Sequence, residues 1–173
     1  RANKLNRVSH DSNTARFGIA AMGKTWRDTL QALKDLGLDS AMLESLGVRI
    51  LKVAMPFPVD RETYAEFADG LEEILVIEDK REQIEHALRD VCYALPETKR
   101  PRIVGRRDES GTKLVDDIGD LSPDKIARVI AKRFRPFHDS ERMRARIGFL
   151  DRLAEEAAQR ESLNLSRLPY FCS

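Results

Sequence analysis

Gly18-Ile-Ala-Ala-Met-Gly23-Lys24-Thr25 carries the spacing G-x-x-x-x-G-K-T, the pattern of a loop that wraps nucleotide phosphates. In that chemistry backbone amides cradle the phosphates, Lys24 reaches the outermost one and Thr25 holds magnesium. A working loop follows a buried strand, yet Thr14-Ala-Arg-Phe17 precedes Gly18 and cannot be one. The apolar residues lie between the two glycines instead. We therefore expect a strand inside the pattern, a tight turn at Gly23 and a solvated Lys24.

A second set of groups sits farther along. Glu78 and Asp79 close the apolar run Ile74-Leu-Val-Ile77, and Ile84, Ala87, Leu88, Val91 and Cys92 follow at helical spacing. A strand without polar alternate positions is buried on both faces, and its parallel neighbour is reached through a crossover helix. Open α/β sheets bind their ligands at the carboxyl ends of such strands. Glu78 and Asp79 are thus candidates for local chemistry or for contact with another domain or subunit. Their competing role is to face the dipole of the helix that follows, worth up to about 1 kcal/mol.

Other groups offer less. His10, His86 and His138 lack metal-ligand spacing, and no nucleophile elbow, paired-cysteine zinc pattern or dinucleotide fingerprint is present. The basic stretch Lys99–Arg107 could take coenzyme A or another anion. Its charges around Ile103-Val104 also suit an edge strand kept soluble by charge.

The elements that must position these groups read as a βα rhythm. Residues 1–15 are polar and are expected as a linker. Strands are expected at Phe17–Met22, Val48–Met55, 73–78 and Arg102–Gly105. Helices are expected from Thr25 to Leu36 with Gly37 as terminator, from the cap Asp60 to Phe67, over 80–94, and from Ser122-Pro123 to Phe134. That order predicts an α/β fold, a three-layer α/β/α sandwich with a mostly parallel sheet of four to five strands over residues 16–135. Residues 136–173 are expected as a helical connector, with Met143, Ile147, Leu150, Leu153 and Ala157 on one stripe.

Composition sets outer bounds. Thirty Lys and Arg balance 29 Asp and Glu, so whole-chain charge favours neither nucleic acid nor a membrane surface. No apolar run approaches the roughly 20 residues of a membrane-spanning helix. Cys92 and Cys172 make no disulfide framework, which suits a reducing cytoplasm. The chain starts without Met and stops inside the apolar segment Leu168-Pro-Tyr-Phe-Cys172-Ser173, so a piece cut from a longer protein is expected.

Four stretches together resemble a known family. They are Gly18–Trp26 with Ala32-Leu-Lys-Asp-Leu-Gly-Leu-Asp39, Leu51-Lys-Val-Ala-Met-Pro-Phe-Pro-Val59, Gly70-Leu-Glu-Glu-Ile-Leu-Val-Ile-Glu-Asp-Lys-Arg81 on through Glu85, and Leu168–Ser173. In order and spacing they are similar to the fused indolepyruvate:ferredoxin oxidoreductases, which depend on thiamine diphosphate. The resemblance spans most of residues 16–173 and implies their transketolase C-terminal-like domain. It implies a parent enzyme that oxidatively decarboxylates aryl 2-oxoacids, forms the coenzyme A thioester and passes electrons to ferredoxin. Thiamine diphosphate, magnesium and [4Fe–4S] clusters are implied for that parent, in homodimeric form, and none for this piece. By the same resemblance Glu78 stands at an interdomain or intersubunit contact, and Cys172 matches the first cysteine of a Cys-x-x-Cys cluster segment. The implied role is assembly of neighbouring domains, without catalysis by the piece itself.

Overall fold

The apolar run between the two glycines of the phosphate-loop pattern is the central strand of a five-stranded sheet. In a computed structural model that describes residues 3–115 and 119–162, the strands are β1 (Arg7–His10), β2 (Phe17–Met22), β3 (Val48–Val53), β4 (Glu73–Ile77) and β5 (Arg102–Val104). They lie in the order β1-β3-β2-β4-β5. β2 pairs in parallel with β3 and β4, so that Ile19 faces Ile50 on one side and Leu75 on the other. β5 extends the parallel sheet from β4, and β1 adds to β3 antiparallel.

Alternation along the central strands divides the core in two. Phe17, Ile19 and Ala21 of β2 point to one face, with Leu75 and Ile77 of β4, and Ala20, Ile74 and Val76 to the other. The first face carries α1 (Gly23–Asp35), α2 (Ser40–Ser45), α5 (Pro123–Phe134) and α6 (Glu141–Ser162). The second carries α3 (Arg61–Ala68) and α4 (Gln83–Tyr93). Both faces are covered, as a parallel sheet requires, and the α/β/α sandwich with a mostly parallel sheet is the fold the sequence predicts.

Local chemistry fixes the helix ends. Asp60 caps α3 by accepting from the Thr63 amide at 3.2 Å, and Asp39 caps α2 through the Met42 amide at 2.9 Å. After α1 the chain turns at Gly37, with φ +80°. The Leu38 amide reaches back to the Leu33 carbonyl at 2.9 Å, which seals the helix end. Pro123 opens α5 as expected, although the Ser122 hydroxyl makes no capping bond.

Three features differ from the sequence expectation. Residues 7–10, expected inside a linker, form strand β1, anchored where Asn6 bonds the backbone of Ala54 and Met55. The six-residue helix α2 fills the turn between α1 and β3. The start of α6 belongs to the core: Met143 and Leu150 are buried with Phe134 and Ile130 of α5, beyond the expected boundary at residue 135.

Candidate functional site

The carboxyl ends of β2, β3 and β4 meet where the chain leaves β2 toward one face and β4 toward the other. This is the position at which open α/β sheets carry their ligands. A cleft of about 260 Å³ opens there, walled by Met22, Gly23, Val53, Ala54 and Pro56, with Asp79 on its rim.

The two glycines of the phosphate-loop pattern have other uses. Gly18 lies in β2, where an added Cβ would stand 2.6 Å from Leu71 Cδ1 and 2.9 Å from Phe67 Cζ. It lets α3 pack close to the strand. Gly23, with φ +54°, makes the turn into α1. Residues 18–22 sit in the sheet ladder, so their amides are not free to wrap a phosphate. Lys24 Nζ donates to Asp28 at 2.7 Å and pairs with Asp120 at 3.3 Å, and these partners hold its ammonium above the usual lysine pKa. The Thr25 hydroxyl lies within hydrogen-bonding distance of the Met22 and Ile77 carbonyls, at 2.8 and 3.0 Å. It ties the start of α1 to the end of β4.

Of the two acids expected as contact groups, Glu78 is turned inward. It is only 6% exposed. Its carboxylate accepts from the Ile84 amide at 2.6 Å and the Glu85 amide at 2.9 Å, in the first turn of α4. The strand-terminal acid thus caps the following helix from five residues before it begins, while Glu82 at the N-cap position makes no capping bond. Burial raises the Glu78 pKa, against the backbone amides of Ile84, Glu85 and Gln83 that lower it, with the neighbouring Glu85 charge adding to the rise. The Tyr64 hydroxyl is buried without a hydrogen-bond partner among the described residues. Its pKa is pushed to about 12, by burial first and then by the charges of Glu78 and Asp60. Asp79 is half-buried beside the cleft.

One acid of the site escaped sequence reasoning. Glu85 is buried on the apolar face of α4, where it accepts from Arg89 Nη2 at 2.7 Å and from the Arg106 amide at 3.0 Å. It fastens α4 to the loop after β5, and Gly105 is the residue that admits it. The signal was present: Glu85, Leu88 and Cys92 share one face at i, i+3 and i+7.

The remaining candidates are dispersed. The basic stretch 99–107 includes edge strand β5, and most of its charge is engaged within the chain. Arg102 pairs with Glu73 and Glu109, Arg106 with Glu82, and Arg100 lies over the Tyr93 ring. His10 stands on β1, His86 pairs with Glu82 on α4, and His138 follows α5. Cys92 is buried in the apolar layer under α4, and burial pushes its thiol pKa up. Cys172 lies outside the described residues. No group of three or more His, Cys, Asp or Glu side chains that could hold a metal ion occurs among the described residues. No helix among them is long and apolar enough to cross a membrane.

Fold and site together define a parallel α/β domain whose polar groups at the ligand edge mainly hold its own elements together. The sequence places it further: residues 7–159 match the indolepyruvate oxidoreductase domain family, and the chain belongs to that family. It is 31% identical over 128 residues to the indolepyruvate oxidoreductase subunit IorA of Methanothermobacter marburgensis, covering 74% of this chain and 18% of that one. The IorA subunit of Thermococcus kodakarensis is 33% identical over 79 residues, 46% of this chain and 11% of its own length. The chain therefore spans less than a fifth of the curated relatives it matches. Among solved structures, a split-gene transketolase described as an inactive β4 tetramer aligns at TM-score 0.49 and 20% identity, over 73% of this chain and 40% of that one. A 2-oxoglutarate:ferredoxin oxidoreductase from Magnetococcus marinus aligns at TM-score 0.47 and 19% identity, over 75% and 19%.

Proposed function

We propose that this chain is an assembly domain of a cytoplasmic, homodimeric 2-oxoacid:ferredoxin oxidoreductase of the indolepyruvate type. The parent enzyme takes an aryl 2-oxoacid, releases carbon dioxide, transfers the acyl group to coenzyme A and delivers two electrons to ferredoxin. Thiamine diphosphate, magnesium and [4Fe–4S] clusters belong to other parts of that enzyme. The described residues do not fit an iron–sulfur cluster. An iron–sulfur cluster needs several thiolates, and Cys92, the one cysteine among these residues, is sealed in an apolar layer.

The observation that carries this reading is the engagement of the candidate groups with the chain itself. Glu78 caps α4, Thr25 ties α1 to β4, and Lys24 is held by two aspartates. A catalytic centre would leave such groups aimed at a substrate position. Here they set the geometry of helix starts and strand ends.

Calorimetric titration of the purified chain tests it. The expected result is no heat of binding with thiamine diphosphate, coenzyme A or ATP–magnesium. Saturable micromolar binding of ATP that is lost in Lys24→Ala would overturn the reading in favour of a nucleotide site. Saturable coenzyme A binding that weakens steeply with salt would overturn it in favour of an anion site on Lys99–Arg107.

A further inference from the structure

Asp79 is the exception among the acids at the carboxyl ends of the strands. Its carboxylate is half-buried on the rim of the cleft and has no hydrogen-bond or ion-pair partner among the described residues. At the amino end of the sheet a cavity of about 310 Å³ is lined by Glu73, Arg102, Glu109 and Arg133, and there the charges satisfy one another. The cleft beside Asp79 is smaller, at about 260 Å³, and Met22, Val53, Ala54 and Pro56 give it apolar walls. Apolar walls that supply contact, with a few polar groups that fix orientation, are the composition of a small-molecule site.

Those walls are held in place before any ligand arrives. The Asn6 side-chain oxygen accepts from the Ala54 and Met55 amides at 3.0 and 2.9 Å, and its nitrogen donates to the Met55 carbonyl at 3.0 Å. These bonds fix the chain as it leaves β3. Opposite, the Thr25 hydroxyl lies between the Met22 and Ile77 carbonyls and fixes the start of α1 against β4. A preformed cleft loses little binding energy to ordering.

Size and charge choose the ligand. The volume falls below the roughly 300–1,000 Å³ of sites for drug-sized molecules, so the occupant is small, one ring or one short branched chain. Lys24 also borders the cleft, but its ammonium is held by Asp28 and Asp120. With Asp79, three carboxylates stand against one ammonium, and the positive half-charge at the head of α1 does not offset the difference. The local field therefore repels carboxylates and phosphates and draws a cation. We infer that the cleft binds a small hydrophobic amine, with its apolar body against Met22, Val53 and Pro56 and its ammonium on Asp79. The same field turns away 2-oxoacids and phosphate-bearing cofactors, so this site goes beyond the assembly reading and does not rest on it.

Calorimetry and amide-resolved NMR on the purified chain test it, with phenethylamine as the probe and phenylpropionate as its anionic counterpart. The expected result is saturable binding of phenethylamine, with shifts centred on the amides of Met22, Gly23, Ala54 and Asp79, and no saturation with phenylpropionate. Asp79→Asn keeps the shape and removes the charge, and should weaken binding about tenfold or more. Ala54→Leu, at an exposed position on the wall, fills the cleft and should abolish binding. Neither side chain holds another element, so both variants should melt with the wild type and report on the ligand alone. Absence of saturation with phenethylamine, equal binding of phenylpropionate, shifts centred elsewhere, or unchanged affinity in either variant would each overturn the inference. None of these outcomes alters the titrations with thiamine diphosphate, coenzyme A and ATP–magnesium, so failure of the amine site and failure of the assembly reading are separately visible.

Discussion

Glu78 shows how one buried carboxylate can organise an element. Its two oxygens satisfy the Ile84 and Glu85 amides, which no intrahelical carbonyl can reach. Glu78→Ala leaves both amides buried and unpaired, and we expect a loss of about 2–4 kcal/mol in urea denaturation. Its pH dependence has a definite sign. The folded-state pKa lies above the ordinary 4.5, chiefly through burial. The contribution of Glu78 is therefore fully present below that ordinary value and is lost as pH rises through the folded one, because the unfolded chain releases the proton first. Across that window the wild type should lose more stability than Glu78→Gln, and parallel curves for the two would refute the assignment. Gly105 tests the partner acid: an added Cβ would stand 2.2 Å from Glu85 Oε2. Gly105→Ala should cost about 1–3 kcal/mol, read as a lower thermal midpoint.

Glycine has the opposite meaning within α6. Gly148 has no atom within 4 Å of an added Cβ, so Gly148→Ala removes backbone freedom without a clash. We expect it to stabilise the chain by about 0.5–1 kcal/mol in the same denaturation assay. A loss of stability there would mean that the helix interior is packed more tightly than its surroundings indicate. Elements were legible in the sequence wherever burial left a pattern. β2 matches its expected bounds because both of its faces are covered and every residue but the last is buried. Asp60 was legible because a cap needs one side chain at one position. β1 was not legible: it is a four-residue edge strand, mostly exposed, with no apolar alternation to announce it. The stripe on α6 was visible, but a stripe does not name its partner, and only the fold shows that Met143 and Leu150 face α5. Of the site, the strand inside the phosphate-loop pattern was legible from the apolar residues between its two glycines. The inward turn of Glu78 was not, because the strand–helix loop, rather than residue type, sets which way that carboxylate points.

Across the whole molecule, the buried ion pair of Arg133 and Glu73 and the exposed ring of Phe57 fall on opposite edges of the sheet, which makes their contributions separable by mutation. Arg133 and Glu73 are both mostly buried, and their bond joins α5 to the start of β4. Removing Arg133 leaves the mostly buried Glu73 with the exposed Arg102 at 3.3 Å as its remaining charge partner, so Arg133→Ala should cost about 1–3 kcal/mol. A double-mutant cycle with Glu73→Ala should recover part of that loss, since no charge is then left alone. Additive losses would mean that the pair is not coupled. Phe57 is the counterpart at the other edge. Its ring is exposed on nearly every side, so folding of this chain gains little from it. Phe57→Ser should change the stability of the isolated chain by no more than about 0.5 kcal/mol. If a neighbouring domain covers this ring in the full-length subunit, the same substitution should lower the thermal midpoint there while the chain alone stays unchanged. Equal effects in the two settings would place Phe57 in the fold of this domain rather than at its border. A fall in the full-length subunit alone would mark Phe57 as a residue whose apolar surface is used only in the assembled enzyme.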